Sequence, residues 1–556
     1  MISAGHYLAA LAGFEVLEAG GNAIDAGVCA GLALGVVESA YVSAGGVAPI
    51  VIFLRESEQV ITISGLGTWP RAASCQFFHE HHGGAIPAGI LRTVVPAAPD
   101  SWLTALAKYG TMSFRDVAGP AIRFARDGFA MYPLMARTIE AYAQEIARWP
   151  SSSAIYLPGG APPRVGERFV QADLAGTLQY MADEEAGAAD RGRDAGLRAA
   201  HGAFYRGDIA AAIAAFHREN GGLMTMADMA AFRSDIEPSV HARFGDVEVH
   251  GCGAWCQGPM LLQALGILNG AGLNELGHNS AQYVHVVAEA IKLAAADREA
   301  FFGDPRFVDV PLERLLSAEY GRQRRRMIDP AQAAPDLPRP GLGRAESRHL
   351  QAAGGTADLD TSYVCVVDRH GNAFSATPSD GLTTAPVIPR LGFVASPRGG
   401  QSWTDPAHPS SIMPGKRPRL TPNPAIAIRR GRFVMPFGTP GHDTQTQVML
   451  QVLLNIVTFG MELQAAVEAP RFASLSFPSS AYPHRSYPGR LLIEAEIYAE
   501  VHAALAGLGH RVEPWPDSGP DYFGNVSAAC AVRRDTSTGL LEGAADPRRP
   551  AYAIGW

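Results

Sequence analysis

Cysteine, positive charge and long apolar runs are all scarce in this sequence, and each shortage excludes a class of protein. Six cysteines in 556 residues are too few for a disulfide framework. A formal net charge of −8 gives no electrostatic reason to expect nucleic acid as a partner. The apolar runs are broken by Gly, Glu or Asp before they reach the roughly 20 residues that a membrane span needs, so we expect no membrane partner. The composition, 47% hydrophobic and 18% charged, is that of a globular soluble protein.

The first residues, MISAGHYLAALAG, lack the basic stretch and the long apolar core of a signal peptide. We therefore expect a cytoplasmic location for the chain as given. A start upstream of Met1 would instead allow a periplasmic or secreted protein. Cysteines within apolar runs, such as Cys29 and Cys365, suit a reducing compartment.

Familiar catalytic and cofactor motifs are also missing. There is no GxSxG elbow, no Walker loop and no GxGxxG after a strand, so we expect no cofactor. The run HEHH at 79–82 does not have HExxH spacing, and the two glycines after it predict a solvated loop. Cys252 and Cys256 have no second pair with which to hold zinc. The sequence therefore predicts no metal site.

Two strand-rich ends flank a mostly helical middle. The beginning predicts two packed helices, of which Ala23–Val37 is apolar nearly all round and should be buried. Residues 97–318 read as mainly helical, with one strand at Arg243–His250. Strands return after residue 361, including one predicted at Gly392–Ala395. A layered α/β or α+β sandwich made from both ends would explain this order.

The stretch LDTSYVCVVDRHGNAFSATPSD, residues 359–380, follows a segment rich in Pro, Gly and Ala. That segment, from Asp329 to Gly355, is predicted to be exposed and poorly ordered. A strand then begins directly after Asp360 and Thr361. If the bond between these two residues were cut, Thr361 would gain an α-amine with a pKa of about 8, able to act as base for its own hydroxyl. The alternative is a Thr that simply opens a strand.

A series of short motifs extends this observation along the whole chain. In order they are GGNAIDA at 20–26, VP and AP at 95–99, YG at 109–110, PAI at 120–122, DGF at 127–129, DTS at 360–362, VVD at 366–368, GNA at 371–373, KRP at 416–418, PG at 440–441, APRF at 469–472 and DPR at 546–548. Together and in this order, they resemble the γ-glutamyltranspeptidase family of N-terminal-nucleophile hydrolases.

The resemblance implies an α+β fold, a four-layer αββα sandwich with a mostly helical middle region. It also implies a single precursor that cleaves itself between Asp360 and Thr361. Residues 1–360 would form the large subunit, with 329–360 as a flexible segment before the cleavage point, and residues 361–556 the small subunit. The two subunits would stay together as one αββα domain, and a further homo-oligomer is left open.

The same resemblance assigns roles to four positions. Thr361 would be the nucleophile in both cleavage and catalysis, and Ser379 the second hydroxyl that assists it. The backbone N–H groups of Gly441 and His442 would form the oxyanion hole. The family usually has Gly at the second of these positions, so His442 adds a bulky, titratable side chain beside the site.

The groups that bind a γ-glutamyl head group in this family are mostly replaced. The family uses an Arg and two serines for the α-carboxylate and an acidic residue for the α-amine. The aligned positions here hold Leu66, Gly400, Gln401, Leu420 and Thr421. Arg398 lies nearby in sequence and could supply a different anchor for an anion. Because an unpaired buried charge is costly, we expect a pocket that does not favour a free glutamyl group.

The leading hypothesis is a self-processing amidohydrolase or acyltransferase, acting on a small-molecule amide through an acyl-enzyme on Thr361. One alternative is a true γ-glutamyltranspeptidase or glutathione hydrolase with altered substrate anchors. A second alternative, from another class, is a catalytically silent homologue that acts as a binding protein.

Overall fold

Two antiparallel sheets lie at the centre of the computed structural model, which describes residues 1–343, 361–516 and 527–556. The first sheet combines strands from both ends of the chain. Its order is Tyr552–Ile554, Ile2–Ala4, Val364–Val367, Ala373–Ala376, Ile50–Leu54, Gln59–Ile63 and Ile236–Pro238. Every neighbouring pair of strands in it is antiparallel.

The second sheet is also antiparallel throughout. Its order is Leu541–Ala545, Cys530–Asp535, Phe433–Gly438, Ala425–Arg429, Val247–Gly251 and Val240–Phe244. Two smaller sheets contain Phe472–Ser474, Arg490–Ile493 and Arg511–Pro514, and Phe129–Ala130 with Arg168–Phe169.

Alternation along the strands separates three apolar layers. In the first sheet, Ile50 and Ile52 face a layer of helices, whereas Val51 faces the second sheet. In the second sheet, Ala427 packs on another layer of helices and Ile426 faces inward. Since successive strand residues point to opposite faces, each central strand is apolar on both sides. The predicted four-layer αββα sandwich is confirmed.

Helices form the two outer layers and the connections. The helix Ala23–Val37 is buried along its whole length, as predicted, and Asn22 caps it through a reciprocal bond with Asp25. The other helices are Tyr7–Glu18, Cys75–His82, Ala98–Tyr109, Phe114–Asp127, Pro133–Ala141, Ala143–Ala147, Pro150–Tyr156, Ala172–Ala186, Arg193–Tyr205, Asp208–Glu219, Met226–Ala231, Gly258–Leu268, Leu273–Leu276, Ala281–Phe301, Leu312–Leu315, Ala318–Arg325, Gln445–Val457, Leu463–Glu468 and Ala495–Gly507. Among the described residues, no helix combines the length and the apolar character that a membrane crossing requires.

Three local predictions differ from the structure. The strand predicted at Arg243–His250 is a hairpin, because Gly245 takes a positive φ of 58° and turns the chain. No strand forms at Gly392–Ala395, where Val394 makes one isolated bridge. The HEHH run lies on a short helix, Cys75–His82, instead of in a loop.

The segment after Asp329 is more ordered than its composition predicts. Residues 329–343 lie against a long buried helix, and two side chains of that helix hold them. Lys292 Nζ donates to the Ala334 carbonyl oxygen at 2.6 Å, and the Gly341 N–H donates to Asp297 Oδ1 at 2.7 Å. The Pro and Gly residues prevent regular backbone hydrogen bonding here, and hydrogen bonds with buried charged side chains take its place. The remainder of the predicted pre-cleavage segment lies outside the described residues.

Candidate active site

Thr361 lies fully buried where the chain enters the central strand Val364–Val367. Its N–H donates to the Tyr41 carbonyl at 2.9 Å, and its own carbonyl accepts from Arg549 Nη1 at 3.0 Å. Its φ of 71° is rare for a β-branched residue and costs on the order of 1–3 kcal/mol. The structure therefore holds the predicted nucleophile firmly, with backbone strain on its N-terminal side. Asp360 lies outside the described residues.

The predicted second hydroxyl is in contact with the first. Thr361 Oγ1 and Ser379 Oγ are 2.7 Å apart, and either can be the donor. The Ser379 N–H donates to the Val47 carbonyl at 3.0 Å, which fixes this serine at the beginning of the neighbouring strand Ile50–Leu54. Two strands of the first sheet thus bring both hydroxyls to one end of the sandwich.

Arg398 adds to this contact, and its guanidinium is bound to side chains of the protein itself instead of to an anion. Its guanidinium donates to Ser379 Oγ and Asp380 Oδ1, and at 3.0 Å to Thr421 Oγ1. The Arg398 and Asp380 side chains are 5% and 0% exposed, so the charges are paired away from water. Gln401 Nε2 donates to the same Thr421 hydroxyl at 2.8 Å. Arg398, predicted as an anion anchor, is therefore already neutralised by a carboxylate of its own chain.

The predicted oxyanion segment forms a tight turn of unusual backbone shape. Gly441 and His442 have φ values of 117° and 52°. The Thr444 N–H donates back to the Gly441 carbonyl at 2.8 Å, just before the helix Gln445–Val457. His442 Nδ1 lies 3.0 Å from Asp443 Oδ2. The positive φ at position 442 explains why glycine suits this position, and the contact with Asp443 shows what holds a histidine there.

A buried network joins this turn to the rest of the site. Gln257 Nε2 donates to the carbonyls of Thr421 at 2.8 Å and His442 at 3.1 Å. Arg298 Nη1 in turn donates to Gln257 Oε1 at 3.2 Å and to Asp443 Oδ1 at 2.6 Å. Burial alone would raise the pKa of Asp443, but Arg298 and His442 hold it well below its usual range. The turn is thus fixed by a permanent charge pair.

Three of the predicted substrate positions do not join these polar contacts. Leu66 and Leu420 are fully buried in the apolar layer between the sheets, together with Trp255. Gly400 packs against Arg92, whose Cδ would lie 2.9 Å from a Cβ at this position. Apolar side chains and a glycine give no charged group for a carboxylate or an amine. Of the predicted substrate positions, Arg398 alone contacts the hydroxyl pair, and Thr421 and Gln401 are linked to the pair through Arg398.

A buried carboxyl group lies beside the nucleophile on the other side. Burial raises the pKa of Glu38 to about 7, while Arg549 and the Ser362 hydroxyl oppose the rise. Gly5 makes room for this contact, since a Cβ there would lie 3.0 Å from Glu38 Oε2 and 2.2 Å from Ser362 Oγ. The same Arg549 holds the Thr361 carbonyl, so the charge of Glu38 acts on a group that positions the nucleophile.

We expect Glu38→Gln to flatten the dependence of thermal stability on pH. The pKa of Glu38 is about 7 in the folded chain, against a reference value of 4.5. Its stabilising effect is therefore fully present below pH 4.5 and is lost as the pH rises through 7. Wild-type Tm should fall between these values more steeply than that of the variant. Neutralising the exposed Glu56 is the matched control, and equal slopes for wild type and Glu38→Gln would contradict the expectation.

One group of side chains has the residue types of a metal site. His285, Glu289 and His510 are buried, and one ligand atom of each lies within 4.8 Å of the others. However, Lys292 Nζ lies 2.6 Å from Glu289 Oε1, and the two histidines share a hydrogen bond of 2.9 Å. A lysine ammonium disfavours a second cation, so this group is better explained as a closed network. The absence of a metal site stays a prediction.

Sequence reasoning missed several residues of the network. Gln257, Arg298, Asp443 and Arg549 lie on elements distant in the chain, and no local motif marks them. One signal was available: Asp297, Arg298 and Glu299 are consecutive charges in an otherwise Ala-rich helix. Charged residues are seldom fully buried unless they are paired, so such a run in a buried helix indicates a polar network.

The chain is similar to known proteins over nearly its whole length. The γ-glutamyltranspeptidase family model matches residues 9–556. The acylase ACY 1 proenzyme of Pseudomonas sp. strain SE83 is 33% identical over 92% of this chain and 87% of its own. The glutathione hydrolase-like YwrD proenzyme of Bacillus subtilis strain 168 is 31% identical over 100% and 98%. The crystal structure of cephalosporin acylase from Bacillus halodurans, 26% identical, superposes with a TM-score of 0.84 over 100% of this chain and 95% of its own.

The match covers nearly the whole chain, including the second sheet, the strand that follows Thr361 and the turn at Gly441. This chain therefore belongs to the γ-glutamyltranspeptidase family, as a self-processing amidohydrolase or acyltransferase.

Proposed function

We propose that Thr361 is the nucleophile of this enzyme and that cleavage before it releases the amine that acts as its base. The observation that supports this most directly is the 2.7 Å contact between Thr361 Oγ1 and Ser379 Oγ in a buried site. The two products would be residues 1–360 and 361–556. A strained φ at Thr361 favours cleavage, because a free amine no longer fixes this angle.

Catalysis would proceed by acyl transfer to the threonine and then to water or an amine. The α-amine of Thr361 takes the proton of its own hydroxyl, while Ser379 orients the oxygen. The oxygen bonds to the substrate carbonyl carbon, and the N–H groups of Gly441 and His442 stabilise the oxyanion, an effect worth a few kcal/mol per donor. The amine product leaves with the proton, and water or a second amine then resolves the ester.

The acyl group of the substrate is proposed to be something other than γ-glutamyl. Leu66 and Leu420 are buried apolar side chains at positions where a carboxylate would need a donor, and Arg398 is paired with Asp380. A zwitterionic head group would lose its hydration there without gaining a partner. Within the family, the acylase ACY 1 proenzyme supports this proposal, and the glutathione hydrolase-like YwrD proenzyme supports the alternative of a γ-glutamyl substrate.

A panel of p-nitroanilide substrates compares the two candidate acyl groups, a neutral acyl group and γ-glutamyl. We expect the processed enzyme to hydrolyse at least one neutral acyl anilide with a kcat/KM about 100-fold higher than that for γ-glutamyl anilide, since an unmatched buried charge costs a few kcal/mol. Thr361→Ala, assayed on the same panel, gives the background rate. If the γ-glutamyl anilide is the best substrate, the enzyme is a γ-glutamyl hydrolase or transferase after all.

A further inference from the structure

A pocket opens between the two sheets, at the end opposite to Thr361. It has a volume of about 360 Å³ and includes Phe53 in its wall. Phe53 lies near the end of the strand whose beginning holds Ser379 through Val47. Phe53 lies six positions after Val47, which corresponds to about 20 Å of extended chain. The pocket is therefore distinct from the site described above.

Three polar side chains in this pocket form a continuous hydrogen-bonded relay. Ser239 Oγ lies 2.9 Å from His250 Nδ1, and His250 Nε2 lies 2.9 Å from Glu248 Oε1. Glu248 and His250 are two positions apart on the strand Val247–Gly251, so both point to the same face of the sheet. Ser239 joins the last strand of the first sheet to the edge strand of the second. All three residues line the pocket.

The hydrogen-bond roles follow from the chemistry of the groups. A carboxylate can only accept, so His250 Nε2 carries the proton that is donated to Glu248. The other ring nitrogen, Nδ1, is then a lone pair that accepts from the Ser239 hydroxyl. Burial, as the main cause, lowers the pKa of His250 to about 4, which keeps the ring neutral. Ser239 Oγ also lies 3.2 Å from the Val60 carbonyl oxygen, which competes with His250 Nδ1 as the acceptor of the hydroxyl proton.

A serine, a neutral histidine and a carboxylate in this order are the arrangement that activates a hydroxyl for acyl transfer. We propose that Ser239, His250 and Glu248 form a second nucleophilic site, one that hydrolyses small carboxylic esters. The wall supplies apolar surface from Phe53 and Val60 and a guanidinium donor from Arg430, whereas Arg55 and Arg429 are paired with Glu58 and Asp246. Such a pocket suits a short or aromatic acyl ester, with an arginine to neutralise the oxyanion.

The proposed reaction balances without a cofactor. His250 Nδ1 takes the proton of Ser239 as Oγ bonds to the ester carbonyl carbon. The carbon–oxygen bond to the alcohol then breaks, and the alcohol leaves with that proton. Water attacks the acyl-serine, again giving a proton to His250, and the carboxylic acid departs as the proton returns to Ser239. Glu248 holds the imidazole throughout.

A fluorophosphonate probe tests this site directly. Wild-type protein and Thr361→Ala are incubated with the probe, and the labelled residue is located by intact mass and peptide mapping. We expect one label on Ser239 in both proteins, absent after Ser239→Ala. His250→Gln should slow labelling by about 100-fold, because a general base contributes at least that much. Ser234→Ala, a nearby serine outside the pocket lining, is the matched control and should label at the wild-type rate.

Two results would overturn the proposal. One is a folded protein, judged by an unchanged Tm, in which Ser239 takes no label after prolonged exposure. The other is a label on Ser239 that forms at the same rate in His250→Gln, which would indicate simple exposure of a serine. Because Thr361→Ala removes the first site and keeps the second, failure here is distinguishable from failure of the proposed amide hydrolysis.

Discussion

Thr361→Ala should remain a single chain of 58.9 kDa and should show no amide hydrolysis. The substitution removes the hydroxyl that attacks the preceding carbonyl in cleavage and the substrate in catalysis. It should leave the fold intact, because the backbone bonds to Tyr41 and Arg549 do not involve the side chain. A denaturing gel measures cleavage, and an anilide assay measures activity. The loss in rate should reach the background level.

The matched control is Thr377→Ala. Thr377 is also a fully buried threonine at the same end of the first sheet, and its N–H donates to the Pro49 carbonyl at 3.2 Å. Its side chain has no role in the proposed chemistry, so this variant should split into two pieces as the wild type does. Cleavage of Thr361→Ala at the same bond, or an uncleaved Thr377→Ala that is folded, would contradict the assignment of Thr361.

Arg398→Met should give the second largest effect, in stability as well as in activity. It removes the guanidinium that holds Ser379 and the positive charge that is paired with the Asp380 carboxylate, whose side chain is 0% exposed. Breaking one partner of a buried ion pair typically costs about 3–5 kcal/mol. Urea unfolding should show this loss. Arg123→Met, which breaks an exposed pair with Glu15 at 3.4 Å, should change stability by less than about 1 kcal/mol.

A double variant separates folding from chemistry. Arg398→Met with Asp380→Asn removes both charges of the pair, so its free energy of unfolding should return most of the way to the wild-type value. Its rate of amide hydrolysis should stay low, because Ser379 still lacks the donor that fixes its oxygen. If the double variant recovers activity together with stability, Arg398 has a structural role alone and does not position the hydroxyl pair.

Local signals in the sequence predicted a layered sandwich, and the order of the motifs implied its αββα form. Alternation and turn residues predicted a strand directly after Thr361, where Val364–Val367 lies. The order of motifs singled out Thr361 and Ser379, and the structure places their hydroxyl oxygens 2.7 Å apart. The hairpin at Gly245 and the missing strand at Gly392 depend on backbone φ and on tertiary pairing, which short patterns do not encode.

Charge pairing was the part that could not be predicted. Arg398 looked like a free anion anchor because its partner Asp380 lies 18 positions earlier, with no pattern that joins them. Arg298 and Asp443 are 145 positions apart and meet only when the helical layer packs on the second sheet. The segment after Asp329 shows the same effect of distant charged side chains. Its composition predicts disorder, but Lys292 and Asp297 hold it through hydrogen bonds. In each case long-range burial decided the outcome.

Thr361 is proposed to carry the acyl group during turnover, and a quenched intact-mass measurement can detect that group. Processed enzyme is mixed with its best anilide substrate, quenched in acid within the first turnover and analysed by mass spectrometry. We expect the piece beginning at Thr361 to gain the mass of one acyl group and peptide mapping to place that group on the first residue. Turnover by an unsplit chain, or an acyl group on any other residue, would contradict the assignment of Thr361 as the nucleophile.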